Sequence, residues 1–419
     1  MVFKCLDTNL EDSMARIVVK FGGSSVADGE KIRNAARSIV KEAKKGHEVV
    51  VVVSAIGKTT NALLEALDSC TDGTFTPQQK DDVAAMGERT SVRVVSAAIN
   101  SLGVKSVYME PTRSDWPVIT NSKFTNATVD LEKTKERAQK HLVPLLKRGI
   151  VPVVCGFLGV DAKGSVTTMG RGGSDTTAVI LGNCINAQEV IIVTDVDGVY
   201  SGDPRVVDNA ALIEEIDVAV LWDLAVGGAK VMKWDSLIYK GKHQTLKIVN
   251  NRYGNLSAKG TEIKGEFMET SVKKMEDPLG SVTLVGKNLV EQAGLLAKTS
   301  KIMGGEKVNI WGITVAPDSM TYFINEDEVE MATKLLHEFV LKSESVVSVT
   351  SSKGIGLAYV TSPDFLDEPG ALGKLTGALG DAGLNIKEVT TSKSQIMVFV
   401  DHKNLDAVYE IMSLIFEKK

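Results

Sequence analysis

Four cysteines in 419 residues are too few to staple a fold, and Cys5, Cys70, Cys155 and Cys184 lack the close spacing of a metal site. They read as reduced thiols in a cytoplasmic protein. Excess positive charge is missing as well: 48 Lys and Arg against 53 Asp and Glu leave −5, which removes the electrostatic footprint of a nucleic-acid binder. No apolar run reaches the ~20 residues that a membrane helix needs. Residues 1–13 have no apolar core of a secretory signal, so Met14 reads as the native start behind a flexible tail. The five histidines are scattered and offer no plausible catalytic base. A Walker A loop is also absent. The single Gly-Lys-Thr is Gly57-Lys58-Thr59, and Val52 stands where the earlier glycine of that motif belongs.

What is present is a chain of ordinary globular composition, long enough for two or three domains. Buried-strand patterns at 16–21, 48–54, 104–109, 151–156 and 190–194 alternate with helical patterns at 28–45, 79–101, 130–148 and 176–186. The five valines Val49 to Val53 suit a strand covered on both faces. This rhythm predicts an α/β fold, a three-layer αβα sandwich around a mainly parallel sheet. Glycines and charge between about 262 and 278 place a domain boundary there. Beyond it the chain repeats itself. A slide of 76 residues aligns Gly294 with Gly370, Asn309-Ile310 with Asn385-Ile386, Thr314 with Thr390 and Phe323 with Phe399. Each copy reads βαββαβ, with helices expected at 293–303 and 369–380.

Four segments carry chemistry. Lys20-Phe21-Gly22-Gly23-Ser24-Ser25 ends a strand, turns on glycines and opens a helix, which is a phosphate-cradling arrangement. Ser54-Ala55, followed by Thr59-Thr60-Asn61, sets hydroxyls beyond the end of the valine strand, where α/β sheets bind ligands; Thr60 and Asn61 read equally as helix caps. Met169-Gly170-Arg171-Gly172-Gly173-Ser174-Asp175 combines glycines with an arginine fork suited to a carboxylate, ahead of a helix expected from Thr176. Taken alone it reads equally as a solvated turn, with Asp175 as the cap. Thr194-Asp195-Val196-Asp197-Gly198-Val199-Tyr200, with Asp203-Pro204-Arg205, gives donors and acceptors for a base and ribose, or simply two turns.

In this order, and together with Gly87-Glu88-Arg89 and Gly228-Ala229-Lys230, these motifs resemble the amino-acid kinase superfamily and, within it, the aspartokinases. The resemblance runs from about Arg16 to the C-terminus. It implies an amino-acid kinase catalytic domain at 14–265, followed by two ferredoxin-like ACT modules at 279–348 and 353–419, the second taking a strand from 267–277 if the first is inserted in it. It implies transfer of the γ-phosphoryl group of ATP to the side-chain carboxylate of L-aspartate, with Mg²⁺ accompanying ATP and no protein metal ligand named. Lys20, Asp175 and Lys230 take the catalytic positions. Ser54, Thr60, Glu88, Arg171, Gly172, Gly173 and Ser174 take the aspartate positions. Lys20, Gly22, Gly23, Ser24, Thr194, Asp195, Tyr200, Arg205 and Lys230 take the nucleotide positions. Outside that set, Glu88 in a helical pattern reads as a surface carboxylate.

The family resemblance also implies a homodimer or larger assembly through the ACT modules, and an amino-acid effector, lysine or threonine. The effector elements expected are Asp367, Pro369, Gly370, Asn385 and Ile386 in one copy, and Gln292, Gly294, Asn309 and Ile310 in the other. Two departures stand out. Val231-Met232-Lys233-Trp234 replaces the usual Val-Leu-His-Pro after Gly-Ala-Lys, and Thr390-Thr391-Ser392 stands where many members carry Gln-Gly-Ser-Ser. Acetylglutamate, glutamate, aminoadipate and UMP are competing acceptors, and an amino-acid sensor is the reading from a different class.

Overall fold

The computed structural model describes residues 14–417 except 171, 229–231, 233, 268, 269, 363, 364 and 366–368. The chain divides into two compact units, the first ending at Phe267 and the second beginning at Met268. Arg171, Lys230 and Asp367 from the sequence reading lie outside the described residues.

In the first unit β1 (Arg16–Phe21) leads through a 3-10 turn, Gly23–Val26, to α1 (Gly29–Lys44) and β2 (Glu48–Val53). Next come α2 (Thr59–Thr71), α3 (Pro77–Ser101), β3 (Ser106–Met109), α4 (Leu131–His141), α5 (Val143–Leu146) and β4 (Val151–Cys155). A short hairpin, β5 (Leu158–Val160) and β6 (Val166–Thr168), precedes α6 (Gly173–Cys184) and β7 (Glu189–Thr194). The unit closes with β8 (Val199–Tyr200), β9 (Leu212–Ile213), β10 (Glu215–Asp217), α7 (Val218–Val226), β11 (Thr245–Asn250) and β12 (Gly260–Lys264).

Eight strands form one sheet in the order β10-β12-β11-β7-β1-β2-β4-β3. Every pairing in it is parallel except β11 with β12. The central strands are apolar along their length because helices cover both faces, and Val49 to Val53 are almost completely buried. Three helix starts matter for the site. Asp28 caps α1 by accepting from the Lys31 N–H at 2.9 Å, and Ile32, Ala35, Ala36, Ile39 and Val40 then form the buried stripe. Thr76 and Gln79 form a reciprocal capping box on α3, with Pro77 in the first turn. The third, α6, begins three residues before the expected Thr176. Gly172 takes φ +79°, a left-handed value that glycine adopts without steric cost, and it is the N-cap. Ser174 and Asp175 therefore stand inside the first helical turn, and Asp175 is not the cap. Likewise α2 is capped by Lys58 without a side-chain bond, so neither Thr60 nor Asn61 caps it.

The second unit contains β13 (Ser271–Lys274), β14 (Leu279–Gly286), α8 (Leu295–Gly305), β15 (Ile310–Ala316), β16 (Ser319–Asn325), α9 (Val329–Val340), β17 (Val346–Thr361), α10 (Ala371–Asp381), β18 (Ile386–Thr391), β19 (Gln395–Asp401) and α11 (Leu405–Phe416). From α8 to α9 each element starts 76 residues before its counterpart between α10 and α11. The seven strands make one antiparallel sheet, β15-β16-β14-β17-β19-β18, with β13 also on β17. The long β17 is shared. Its first half pairs with β14 and its second half with β13 and β19, so each βαββ repeat acquires a fourth strand. In the second repeat that strand is β13, from the segment ahead of the first repeat. At the seam the repeat-related Phe323 and Phe399 stack with centroids 4.1 Å apart. Among the described residues no helix is long and apolar enough to cross a membrane.

Candidate functional site

Lys20 is the fifth residue of β1, and its alternation sends the side chain out of the sheet toward α6. Its Nζ lies 2.6 Å from Oδ1 of Asp175, and both side chains are about one-tenth exposed. Removing two charges from water is costly, so such a pair is weak evidence for stability and stronger evidence for a site. Around it the glycines fit by close approach. A Cβ on Gly22 would stand 3.5 Å from Lys20 Nζ, and one on Gly23 would meet the carbonyls of Gly57 and Ala55 at 3.0 and 3.1 Å. Backbone bonds lock the first two turns together: Gly57 N–H to Gly23 O at 3.2 Å and Ser54 N–H to Phe21 O at 3.1 Å.

The second turn meets α6 directly. Ser54 Oγ donates to Ser174 Oγ at 2.9 Å. Gly156, at the end of β4, makes room for this: a Cβ there would fall 2.6 Å from the Ser174 side chain. On the other flank Glu88 of α3 is buried, with Oε1 accepting from the Ala55 N–H at 3.0 Å. Its Oε2 and the Thr60 hydroxyl are buried and have no hydrogen-bond partner among the described residues. Burial pushes the Glu88 carboxyl up to about 7, against the lowering effect of the Ala55 N–H. Thus Glu88 is no surface carboxylate. The structure brings Lys20, Ser54, Thr60, Glu88, Ser174 and Asp175 to one end of the sheet, beside the glycine turns.

The other expected positions are farther along the sheet edge. Thr194 ends β7 and donates to its neighbour Asp195 at 3.2 Å. Tyr200 donates to Asp197 at 3.1 Å, which also takes Arg252 at 2.6 Å. Arg205 does not reach inward: it forms a fork on Asp203, at 3.0 and 2.7 Å, and is largely exposed. In the departure after Gly228, Met232 packs against the main core, and a 3-10 turn follows over Trp234–Tyr239.

Several residues were not singled out in the sequence. Asn250 donates to Asp195 O at 3.2 Å, and Asn251 donates to Ser25 Oγ at 3.1 Å. Two adjacent asparagines therefore tie the turns after β1 and β7 to the end of β11. Beside them is a cleft of about 510 Å³ lined by Ser25, Asp28, Asn34, Asn250, Asn251 and Tyr253, among others. An Asn-Asn pair at the end of a β-branched run was the available signal. In the second unit Gly294 and Gly370 cap α8 and α10 with φ +83° and +94°, and Ile310 and Ile386 open the following strands. Asn309 and Asn385 immediately precede those strands, and Pro369 precedes Gly370. Gln292 is engaged by Ser345 through a short hydrogen bond.

The model of the Amino acid kinase family matches residues 15–250. An aspartokinase of Mycolicibacterium smegmatis is 34% identical over 413 residues, covering 94% of each chain. The aspartate kinase structure from Synechocystis superposes with a TM-score of 0.77 at 24% identity, covering 96% of this chain and 70% of that one. The structure of E. coli aspartokinase III in complex with aspartate and ADP gives 0.54 at 23% identity, covering 96% and 100%.

Proposed function

The chain belongs to the amino acid kinase family and, within it, to the aspartokinases, and on that premise we propose that it transfers the γ-phosphoryl group of ATP to the side-chain carboxylate of L-aspartate. The product is 4-phospho-L-aspartate, in the cytoplasm, at the first step of the aspartate-derived amino acids lysine, threonine and methionine. One observation carries the reading at the level of chemistry: the buried Lys20–Asp175 pair, 2.6 Å across, set between glycine turns and within one sheet edge of Glu88.

The acceptor carboxylate has an ordinary pKa of about 4 and is already ionised at neutral pH, so no general base is required. The difficulty is to bring an anion up to a polyanion. Lys20 would meet the transferring phosphoryl group with a fixed positive charge, while N–H groups of the turn from Gly23 onward hold its oxygens, that of Gly22 being given to Val193 O at 3.2 Å. Lys230 would add a second charge and Arg171 would grip the α-carboxylate. Glu88, when ionised, selects for the substrate ammonium. Ser54, Thr60 and Ser174 supply hydroxyls around the acceptor, and Gly172 and Gly173 let its chain approach closely. Ser24, Thr194, Asp195 and Tyr200 are assigned to the nucleotide, and Arg205 would have to leave Asp203 to join them. Mg²⁺ would arrive on ATP, held by phosphate oxygens and water, which suits a cation that keeps much of its hydration. Among the described residues no group of three or more His, Cys, Asp or Glu side chains could hold it alone.

Regulation by an amino acid, lysine or threonine, between paired C-terminal modules of a homodimer is the second part of the reading. The glycine-capped α8 and α10, each followed by an Asn-Ile strand opening, support it. The test of the catalytic part is ATP turnover with Mg²⁺ and aspartate, trapping the acyl phosphate with hydroxylamine, with glutamate, acetylglutamate and aminoadipate in parallel. Hydroxamate is expected with aspartate alone. Lys20→Ala should lower kcat by about a hundredfold, on the order of 3 kcal/mol. Near-full turnover in that variant would refute the mechanism.

A further inference from the structure

Two buried carboxylates lie on α3 seven residues apart, which is two helical turns and so nearly one face. Each grips a different loop. Glu88 holds the turn after β2 through the Ala55 N–H. Asp81, 1% exposed, receives three hydrogen bonds: Oδ2 accepts from the Thr125 N–H and the Thr168 N–H, each at 2.9 Å, and Oδ1 accepts from the Thr168 hydroxyl at 2.7 Å. Thr168 ends β6, and the next residues are Met169 and Gly170, entering the glycine loop that caps α6. Thr125 is held at φ +68°. Its neighbour Asn126 comes so near the loop that a Cβ on Gly170 would stand 3.0 Å from Asn126 Oδ1. The Ala127 N–H closes the arrangement by donating to Thr168 O at 2.8 Å.

A carboxylate taken out of water is costly unless its lone pairs are met. Here all three donors come from two segments outside α3, and one of those segments leads into the substrate loop. Burial raises the Asp81 carboxyl while these donors lower it. Resting on the aspartate kinase reading, we propose that Asp81 is a positioning residue for the acceptor amino acid. It fixes the entry to the glycine loop at a set distance along α3 from Glu88. The helix then spaces the group that takes the substrate ammonium from the loop that takes its α-carboxylate. None of these three bonds of Asp81 reaches the nucleotide turns, so its effect should be confined to the acceptor.

The experiment compares Asp81→Ala, Asp81→Asn and Thr168→Val with the wild type, measuring kcat and both KM values by hydroxamate formation. Asp81→Ala is expected to raise the aspartate KM about tenfold or more and to leave the ATP KM within about twofold, since a misplacement of about 1 Å is already expensive for an oriented substrate. Asp81→Asn keeps an oxygen for the two backbone N–H groups and turns an amide toward the Thr168 hydroxyl. It should bring the aspartate KM back to within about threefold of wild type. Thr168→Val should fall between. Equal rises in both KM values, a loss confined to kcat, or an asparagine variant no better than alanine would overturn the proposal. If Asp81→Ala does not fold, Thr168→Val decides: a selective rise supports positioning and an unchanged aspartate KM refutes it. A wild-type enzyme that makes hydroxamate only with another acceptor refutes the substrate reading instead, and the same variants then report on that acceptor.

Discussion

Glu88 shows how one residue's surroundings set its use. One oxygen accepts from Ala55, the other is buried without a partner among the described residues, and desolvation lifts the carboxyl to about 7. A neutral carboxyl offers no charge to an ammonium, so acceptor binding should require the ionised form. The aspartate KM is expected to rise as pH falls from 7.5 to 5.5, approaching about tenfold per unit below the pKa. The ATP KM should not follow. Glu88→Gln should bind aspartate weakly at every pH and flatten the profile; a slope that survives that substitution assigns the titration elsewhere. The linkage to stability has the opposite sense to that of an ordinary salt-bridged acid. Because the folded pKa is raised, the contribution of Glu88 is full below about 4.5 and is lost as pH rises through about 7. In the sequence Glu88 was legible only through its motif neighbours, since a helical glutamate is ordinarily solvated. Asp81, between Lys80 and Asp82, gave no signal at all: its burial depends on β6 and the turn at Thr125, far away in sequence.

Elements were legible where burial is periodic and obscure where it is not. The valine run of β2 and the stripe of α1 announce themselves, whereas α2 has no buried residue and was signalled only by the cap reading of Thr60 and Asn61. The start of α6 was misplaced because Gly172 supplies a left-handed cap that propensity alone places three residues later. Helix α3 meets the turn after β2 through Gly87. A Cβ there would fall 2.4 Å from Thr60 Oγ1 and 2.7 Å from Ala55 Cβ, and the latter cannot swing aside. Alanine improves helix propensity by up to about 1 kcal/mol, while overpacking costs about 1–3 kcal/mol. Crowding should win. Gly87→Ala is expected to be destabilising by about 1–2 kcal/mol in denaturant titration and to raise the aspartate KM, because Thr60 and Glu88 are pushed apart. A variant more stable than wild type would show that α3 does not pack this closely.

At the scale of the whole chain, the C-terminal repeat was readable as a 76-residue offset, whereas a strand for the second module from 267–277 came only from the family resemblance and was left open by the residues themselves. No pattern within Ser271–Lys274 says which repeat it completes, and β17 runs unbroken through the interval between 348 and 353 that separates the two modules in sequence. The pairing has an energetic consequence. Val272 of β13 is buried in one cluster with Val360, Leu375 and Val398 of the second repeat. The Val272 N–H donates to Glu417 at 3.0 Å, and Lys274 reaches Asp406 at 2.6 Å. A fragment of residues 353–419 would bare the edge of β17 along β13, expose that cluster and strip Phe399 of its stack on Phe323. Three strands and two helices with an open apolar face bury too little surface to offset chain entropy in so short a piece. Residues 268–419 keep all of these contacts. Thermal melts followed by circular dichroism should therefore give one cooperative transition for 268–419 and a gradual, non-cooperative change for 353–419. A sharp native-like transition in the shorter fragment would mean that β13 is an accessory to the second repeat rather than part of its fold.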